Sequence, residues 1–328
     1  MLHSVLRTPR LLWGRSLAWL MQPDSAVPLA WFRMALAIFC LAKMWVVRSS
    51  LLDIYGQYGF VQWLITRVNL YAELPHLGNV ALWLEPLGFS ADQSVYAVLY
   101  IYVFVLCALF AGWHTRAMSV AAWSIHFLWM HAGGGLMYGM EIFTHIGLFY
   151  GMFMPWGDHL SLDVFQGRRR ALSSVAAGVT RKMLQLQMCI VYLSSGLEKA
   201  SGLQWRNGDA IWRSVMLPSF HQFDMSWLAQ VPSLALASGW LVISIESGYA
   251  FLIWWPKTRS VWLGLTIGMH TFIGLILGMW LFSLIMIVLN LGAFGYDALR
   301  DWGAIAERTG PPTQRARLEP VPASHRQT

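Results

Sequence analysis

The stretch VWLGLTIGMHTFIGLILGMWLFSLIMIVLNLGAF, residues 261–294, contains no Asp, Glu, Lys or Arg. As one helix it would extend about 50 Å at 1.5 Å per residue. A bilayer hydrocarbon core is about 30 Å thick and takes roughly 20 apolar residues per helix. The stretch is therefore too long for one crossing, and Gly278 is the place to divide it into two. Six more apolar runs precede it: Leu29–Val47, Val95–Ala111, Ala117–Ala132, Ile142–Pro155, Met183–Ala200 and Leu234–Trp255. The reading is an all-α, polytopic integral membrane bundle with about eight transmembrane helices. Seven, with one long final helix, is the alternative. Composition agrees: 57% of the chain is apolar and 12% charged, where a soluble domain carries about 25% charged residues.

The charges test the count independently. Basic residues crowd the segment before the first run (Arg7, Arg10, Arg15), the second-to-third connection (Arg116) and the fourth-to-fifth (Arg168, Arg169, Arg170, Arg181, Lys182). They recur at Lys257 and Arg259 and in the tail at Arg300, Arg308, Arg315 and Arg317. Eight alternating spans put all of these on one side. The positive-inside rule makes that side cytoplasmic and places both termini there. The net charge of +7 is thus spent on orientation, and nucleic acid is not an expected partner. The lipid bilayer is.

The organisation expected is a cytoplasmic segment 1–24 with an interfacial helix, a transmembrane domain 25–297, and a disordered basic cytoplasmic tail 298–328. No cleavable signal peptide is evident, because Gly14 and Arg15 interrupt the only early apolar run. Two long connections, Arg48 to Asp92 and Ser201 to Ser233, mix aromatic and polar residues, as amphipathic helices at the membrane interface do. The breaker Gly133-Gly134-Gly135 ends the third run. The pairs Gly147/Gly151, Gly264/Gly268 and Gly274/Gly278 have the GxxxG spacing that lets helix backbones approach.

A charge inside a membrane is costly and needs a partner or a wet cavity. Arg33 and Lys43 lie near opposite ends of the first span, where long stems can snorkel to the interface. His126 reads as a core histidine. His131, Glu141, His145, Glu198 and Lys199 share one depth, and one cavity lined by all five is the economical expectation. Glu246 and His270 lie deeper, as a structural contact or as part of a site. Gln185, Cys189, Tyr192, Gly196 and Lys199 recur at helical spacing and share one face. Gly196 leaves room beside Lys199 for a ligand or a neighbouring helix. No HxxxH or HExxH occurs, so no metal is expected. Cys40, Cys107 and Cys189 all lie in apolar runs and read as packing residues.

Three stretches carry a family resemblance. They are His145-Ile-Gly-Leu-Phe-Tyr-Gly running on to Pro155-Trp-Gly-Asp-His-Leu-Ser-Leu-Asp163; Gln187 to Lys199 with Trp205-Arg-Asn-Gly208; and Glu246 to Pro256 with His270 and Phe282-Ser. Together with the Arg33 region, they resemble the HTTM (horizontally transferred transmembrane) family, related to the membrane domain of vitamin K-dependent gamma-carboxylase. The resemblance covers roughly residues 25–297.

The resemblance implies a bacterial inner-membrane protein with a carboxylase-like (carbon–carbon lyase) or quinol-linked activity. Its cofactor would be a reduced quinone. Lys199 matches the catalytic base and His145 a catalytic-site histidine, with Tyr192, Gly196, Glu246 and His270 around the cofactor. The chain departs from the carboxylase where Glu198 replaces a second lysine. The large domain that docks a protein substrate in the carboxylase is not expected after the last helix. A small or peptide substrate, with a separate partner protein, fits better. The alternative is a non-enzymatic membrane scaffold, or a peptide-maturation or export partner, that keeps only the fold.

Overall fold

The computed structural model describes residues 7–69, 74–132, 138–170, 173–220 and 222–309. Among these it is all-helical, with one isolated bridge between Asp24 and Ser174 in place of any strand. An outlying helix α1 (Arg7–Leu20) leads into eight bundle helices: α2 (Val27–Val47), α3 (Ala91–Ala111), α4 (Thr115–Ala132), α5 (Gly139–Phe153), α6 (Val175–Ser201), α7 (Pro232–Leu252), α8 (Pro256–Leu277) and α9 (Trp280–Asn290). A π-helical segment, Leu291–Gly295, joins α9 to α10 (Tyr296–Thr309).

The apolar stretch 261–294 does break where the geometry required. Gly278 closes α8 in a left-handed conformation, φ +69°, which glycine adopts without the Cβ penalty other residues meet. The returning helix α9 contacts α2, α5 and α8, and its π extension reaches α2, α6 and α10. It is thus the shared wall between the α2–α5 half and the α6–α8 half. Phe32 of α2 packs directly on Gly292, where a Cβ would collide with its ring.

Five helical stretches are long and apolar enough to cross a membrane: Val27–Tyr55, Ala91–Ala111, Pro232–Leu252, Pro256–Leu277 and Trp280–Gly303. Much of their apolar surface faces outward. Trp31, Ile38, Trp45, Tyr100, Phe104, Trp240, Leu241, Phe251 and Phe272 are all exposed. Contiguous apolar surface on that scale is tolerated in lipid and not by a monomer in water. The chain is a multi-pass membrane protein. The runs assigned to α4, α5 and α6 fall outside the five: α5 has only 15 residues, and α6 carries Arg181, Lys182, Glu198 and Lys199.

The two long connections are helical, as expected. Residues 48–92 hold the short helices Leu51–Tyr55, Trp63–Asn69 and Leu77–Leu84. Between α6 and α7, Asp209–Met216 puts Val215 against Leu228 and Ala235 in a small core of its own. The glycine pairs divide. Gly147 meets Leu36 and Leu289, Gly151 meets the Trp156 ring, and Gly274 meets Trp280, whereas Gly264 and Gly268 face open space and close no helix contact. The tail corrects another expectation: α10 remains helical to Thr309, and residues 310–328 lie outside the described residues. So does the Gly133–Gly135 breaker.

At one end of the bundle, Arg181 ties three distant segments together. Its guanidinium donates to Asp24 ahead of α2 and, at 2.8 Å, to Asp297 of α10. Gln185, one turn further on, donates to the Ala293 carbonyl at 2.8 Å, within the π segment. At the same end, the Arg33 side chain is fully buried and does not snorkel. It donates to the carbonyls of Trp156 (2.9 Å), Leu160 (2.5 Å) and Phe110 (3.4 Å). A guanidinium has five donors in a fixed fork, which suits it to clasp several carbonyls.

Candidate functional site: two lysine–glutamate pairs

The shared face of α6 is buried as its spacing predicted: Gln185, Cys189, Tyr192 and Gly196 all point inward. It packs on α7. A Cβ at Gly196 would lie 2.5 Å from Ser247 Oγ and 2.6 Å from the Ser247 backbone nitrogen. The room beside Lys199 is therefore filled by a neighbouring helix. That close approach sets Lys199 Nζ 2.7 Å from Glu246 Oε2 and 2.5 Å from Ser195 Oγ, with the Trp205 ring 5.1 Å away.

Two turns deeper, a polar network crosses four helices, α6 to α9. Tyr249 OH donates to Asn290 Oδ1, and Asn290 Nδ2 donates to Tyr192 OH, each at 2.7 Å. Tyr192 OH lies 2.7 Å from His270 Nε2. Its own hydrogen is free for that contact, so Nε2 is the acceptor and the neutral ring carries its proton on Nδ1. Among the described residues, His270 Nδ1 is buried without a hydrogen-bond partner, as is Ser283 Oγ. A buried donor left unpaired costs about 1–3 kcal/mol, and an oxygen atom of a ligand would relieve it. Glu246 and His270 thus do not contact each other: each belongs to a different partner on α6.

The second pair was not legible as a pair. Lys43 of α2 is 1% exposed and bonds Glu141 Oε2 of α5 at 2.5 Å. It does not snorkel. His126 Nε2 of α4 lies 3.3 Å from the same carboxylate oxygen, and His126 Nδ1 lies 3.3 Å from His145 Nδ1. His145 stacks on Trp123, with ring centroids 5.0 Å apart. Above the pair is a cavity of about 550 Å³ whose lining includes Tyr55, Phe60, Trp129, Tyr138 and Leu281.

The five groups expected in one cavity are therefore dispersed. Only Glu141 lines this cavity. His145 joins it through His126. His131 Nδ1 is 2.9 Å from the Phe127 carbonyl of its own helix, Glu198 is exposed, and Lys199 belongs to the other pair. His145 and Lys199 occupy separate clusters. Among the described residues, no group of His, Cys, Asp and Glu has the arrangement to hold a metal ion. The three cysteines are free, and Cys107 is exposed where packing was expected.

No family model matches the chain, and no curated protein or solved structure is similar to it.

Proposed function

We propose that the chain is an eight-span protein of the bacterial inner membrane, of the HTTM type, with both termini cytoplasmic. In this reading, Lys199, Glu246, Tyr192 and His270 form a quinol-linked site that acts on a small or peptide substrate at the outer face. The topology is supported by the Arg181 junction. It brings together Asp24, the start of α6 and Asp297, and an even number of helices separates each from the next. The site is supported above all by the unpaired His270 Nδ1, which sits at the end of a hydrogen-bonded row on the face that also carries Lys199.

His270 and Tyr192 would hold the oxygen of a reduced quinone. Bound there, that group would supply an ionisable hydroxyl and reducing equivalents. Lys199 and Glu246 supply proton handling: the 2.7 Å contact lets the amine pass its proton to the carboxylate and act as base. Gly196 keeps the two helices close enough for that contact. His145 has no part in this site, being held by His126 and Trp123.

The same ion pair favours a second reading, a scaffold in which Lys199 and Glu246 only join α6 to α7. Mass spectrometry of lipids co-purified with the full chain separates the two. The quinol reading expects a quinone in the wild type and its loss in His270→Leu, with Lys199→Ala retaining the quinone but losing function in the native host. A wild-type preparation free of quinone, together with a silent Lys199→Ala, would leave the scaffold.

A further inference from the structure

The cavity above Lys43 has the composition of a binding site in its own right. Its walls are mainly aromatic and apolar, from Phe60, Trp129, Tyr138 and Leu281, with the exposed Asp53 as a further charged group in the lining, while its floor is a charged pair. Among the described residues the buried Lys43 ammonium has one hydrogen-bond partner, Glu141, although an ammonium carries three donors. The remaining N–H groups call for an oxygen acceptor in the cavity. Tyr55 lines the same cavity.

Below the floor, two imidazole rings follow the carboxylate. His126 Nε2 lies 3.3 Å from Glu141 Oε2 without being aligned as a hydrogen bond, so a small turn of the ring is needed to join them, and the opposite nitrogen, Nδ1, lies 3.3 Å from His145 Nδ1. A ring that accepts a proton on one nitrogen and releases one from the other conducts protons. His126 is wholly buried, with Nδ1 on His145 and Nε2 without a hydrogen bond among the described residues, whereas His145 is half-buried.

We infer that this cavity binds an apolar aromatic molecule bearing an acidic hydroxyl, and that Glu141, His126 and His145 carry its proton away. The O–H bond of the ligand breaks. Its proton passes to the Glu141 carboxylate, and the Lys43 ammonium holds the oxyanion. The carboxyl proton moves to His126 Nε2, His126 gives its Nδ1 proton to His145, and His145 releases a proton from its other nitrogen. No electrons are transferred. This site does not depend on the quinol reading at Lys199.

The test uses the full chain in lipid nanodiscs, with para-nitrophenol as probe, at a pH where the free probe is protonated. Binding to the wild type brings up the visible band of the phenolate, and a pH-indicator dye in weak buffer records proton release in step with it. Leu281→Trp, which fills the cavity, loses both signals. His126→Phe keeps the band and loses the release. A wild type with no phenolate band, or a band unchanged in a folded Leu281→Trp, overturns the site. Release in His126→Phe equal to wild type overturns the relay. If neither variant folds, the wild-type band and dye traces alone still decide, because the absence of either contradicts the proposal.

Discussion

The two lysine–glutamate pairs join the same residue types at nearly the same distance, yet their surroundings differ. Lys43 and Glu141 have side chains 1% and 8% exposed, and their contact spans the sequence from α2 to α5. Lys199 is 19% exposed, has a serine on its own helix as a second partner, and sits at a tight helix crossing. The first pair is reached only through its cavity, which leaves little room to solvate either charge alone. The second keeps one edge from which water can reach the amine. Burial therefore decides how strongly each partner depends on the other: breaking a buried pair leaves a charge that nothing compensates.

Changing one partner of each pair breaks the comparison most directly. Lys43→Met leaves Glu141 buried and unpaired, and it should cost about 3–5 kcal/mol. The double variant Lys43→Met/Glu141→Leu should recover most of that, since an apolar replacement of a buried pair is often neutral. Unfolding in mixed micelles measures both, and a double variant no more stable than Lys43→Met would show that the pair is not the unit. Gly196→Val comes next. Its Cβ meets backbone as well as a side chain, so α6 and α7 must separate, at a cost of about 2 kcal/mol. If it is silent in the same assay, the crossing is not tight. Glu246→Gln is the milder change, about 1.5 kcal/mol, at the lower end for hydrogen bonds to charged groups. The expected ranking of Lys43→Met above Glu246→Gln would be reversed if exposure did not govern the two pairs.

The same contrast explains what the sequence could and could not reveal. The α6 face was legible because residues three and four apart on one helix are neighbours by geometry, and the Gly278 break because bilayer thickness limits helix length. Lys43 and Arg33 depart from the snorkelling expectation for one reason. Position in a span shows how far a long side chain is from the interface, but not that Glu141 or the Trp156 and Leu160 carbonyls wait beside it. The split of His145 from Lys199 was hidden likewise: depth is readable from sequence, whereas the angular position of each helix around the bundle is set by packing. His126 illustrates the point. It is a core histidine as read, but nothing in its spacing shows that its ring lies between Glu141 and His145. The motif Pro155–Asp163, conspicuous in sequence, proves to be a structural junction. Trp156 Nε1 donates to Ser119 Oγ at 2.9 Å while its carbonyl receives Arg33.

Asp163 at the end of that motif supplies the smallest expected effect and the one with a pH signature. Its carboxylate caps α4 from a distant connection, accepting from His114 N (3.0 Å), Thr115 N (2.8 Å) and Thr115 Oγ1 (2.6 Å), with Arg168 at 3.1 Å. Burial by itself would raise this carboxyl; the Thr115 and His114 hydrogen bonds and the Arg168 charge outweigh it and hold it below the ordinary Asp value. A depressed folded value means that the ionised form favours the native state. Its contribution is complete above the unfolded value of about 3.9 and disappears as pH falls through the folded one. Asp163→Asn should therefore lose about 1 kcal/mol near neutral pH, the usual worth of a helix cap. The gap between wild type and variant should close in acid, below about pH 4. A gap that stays constant across that range would mean that Asp163 acts through shape and not through charge. The junction at this end would then resemble the uncharged Tyr192–Asn290 row more than the Lys43–Glu141 pair at the other.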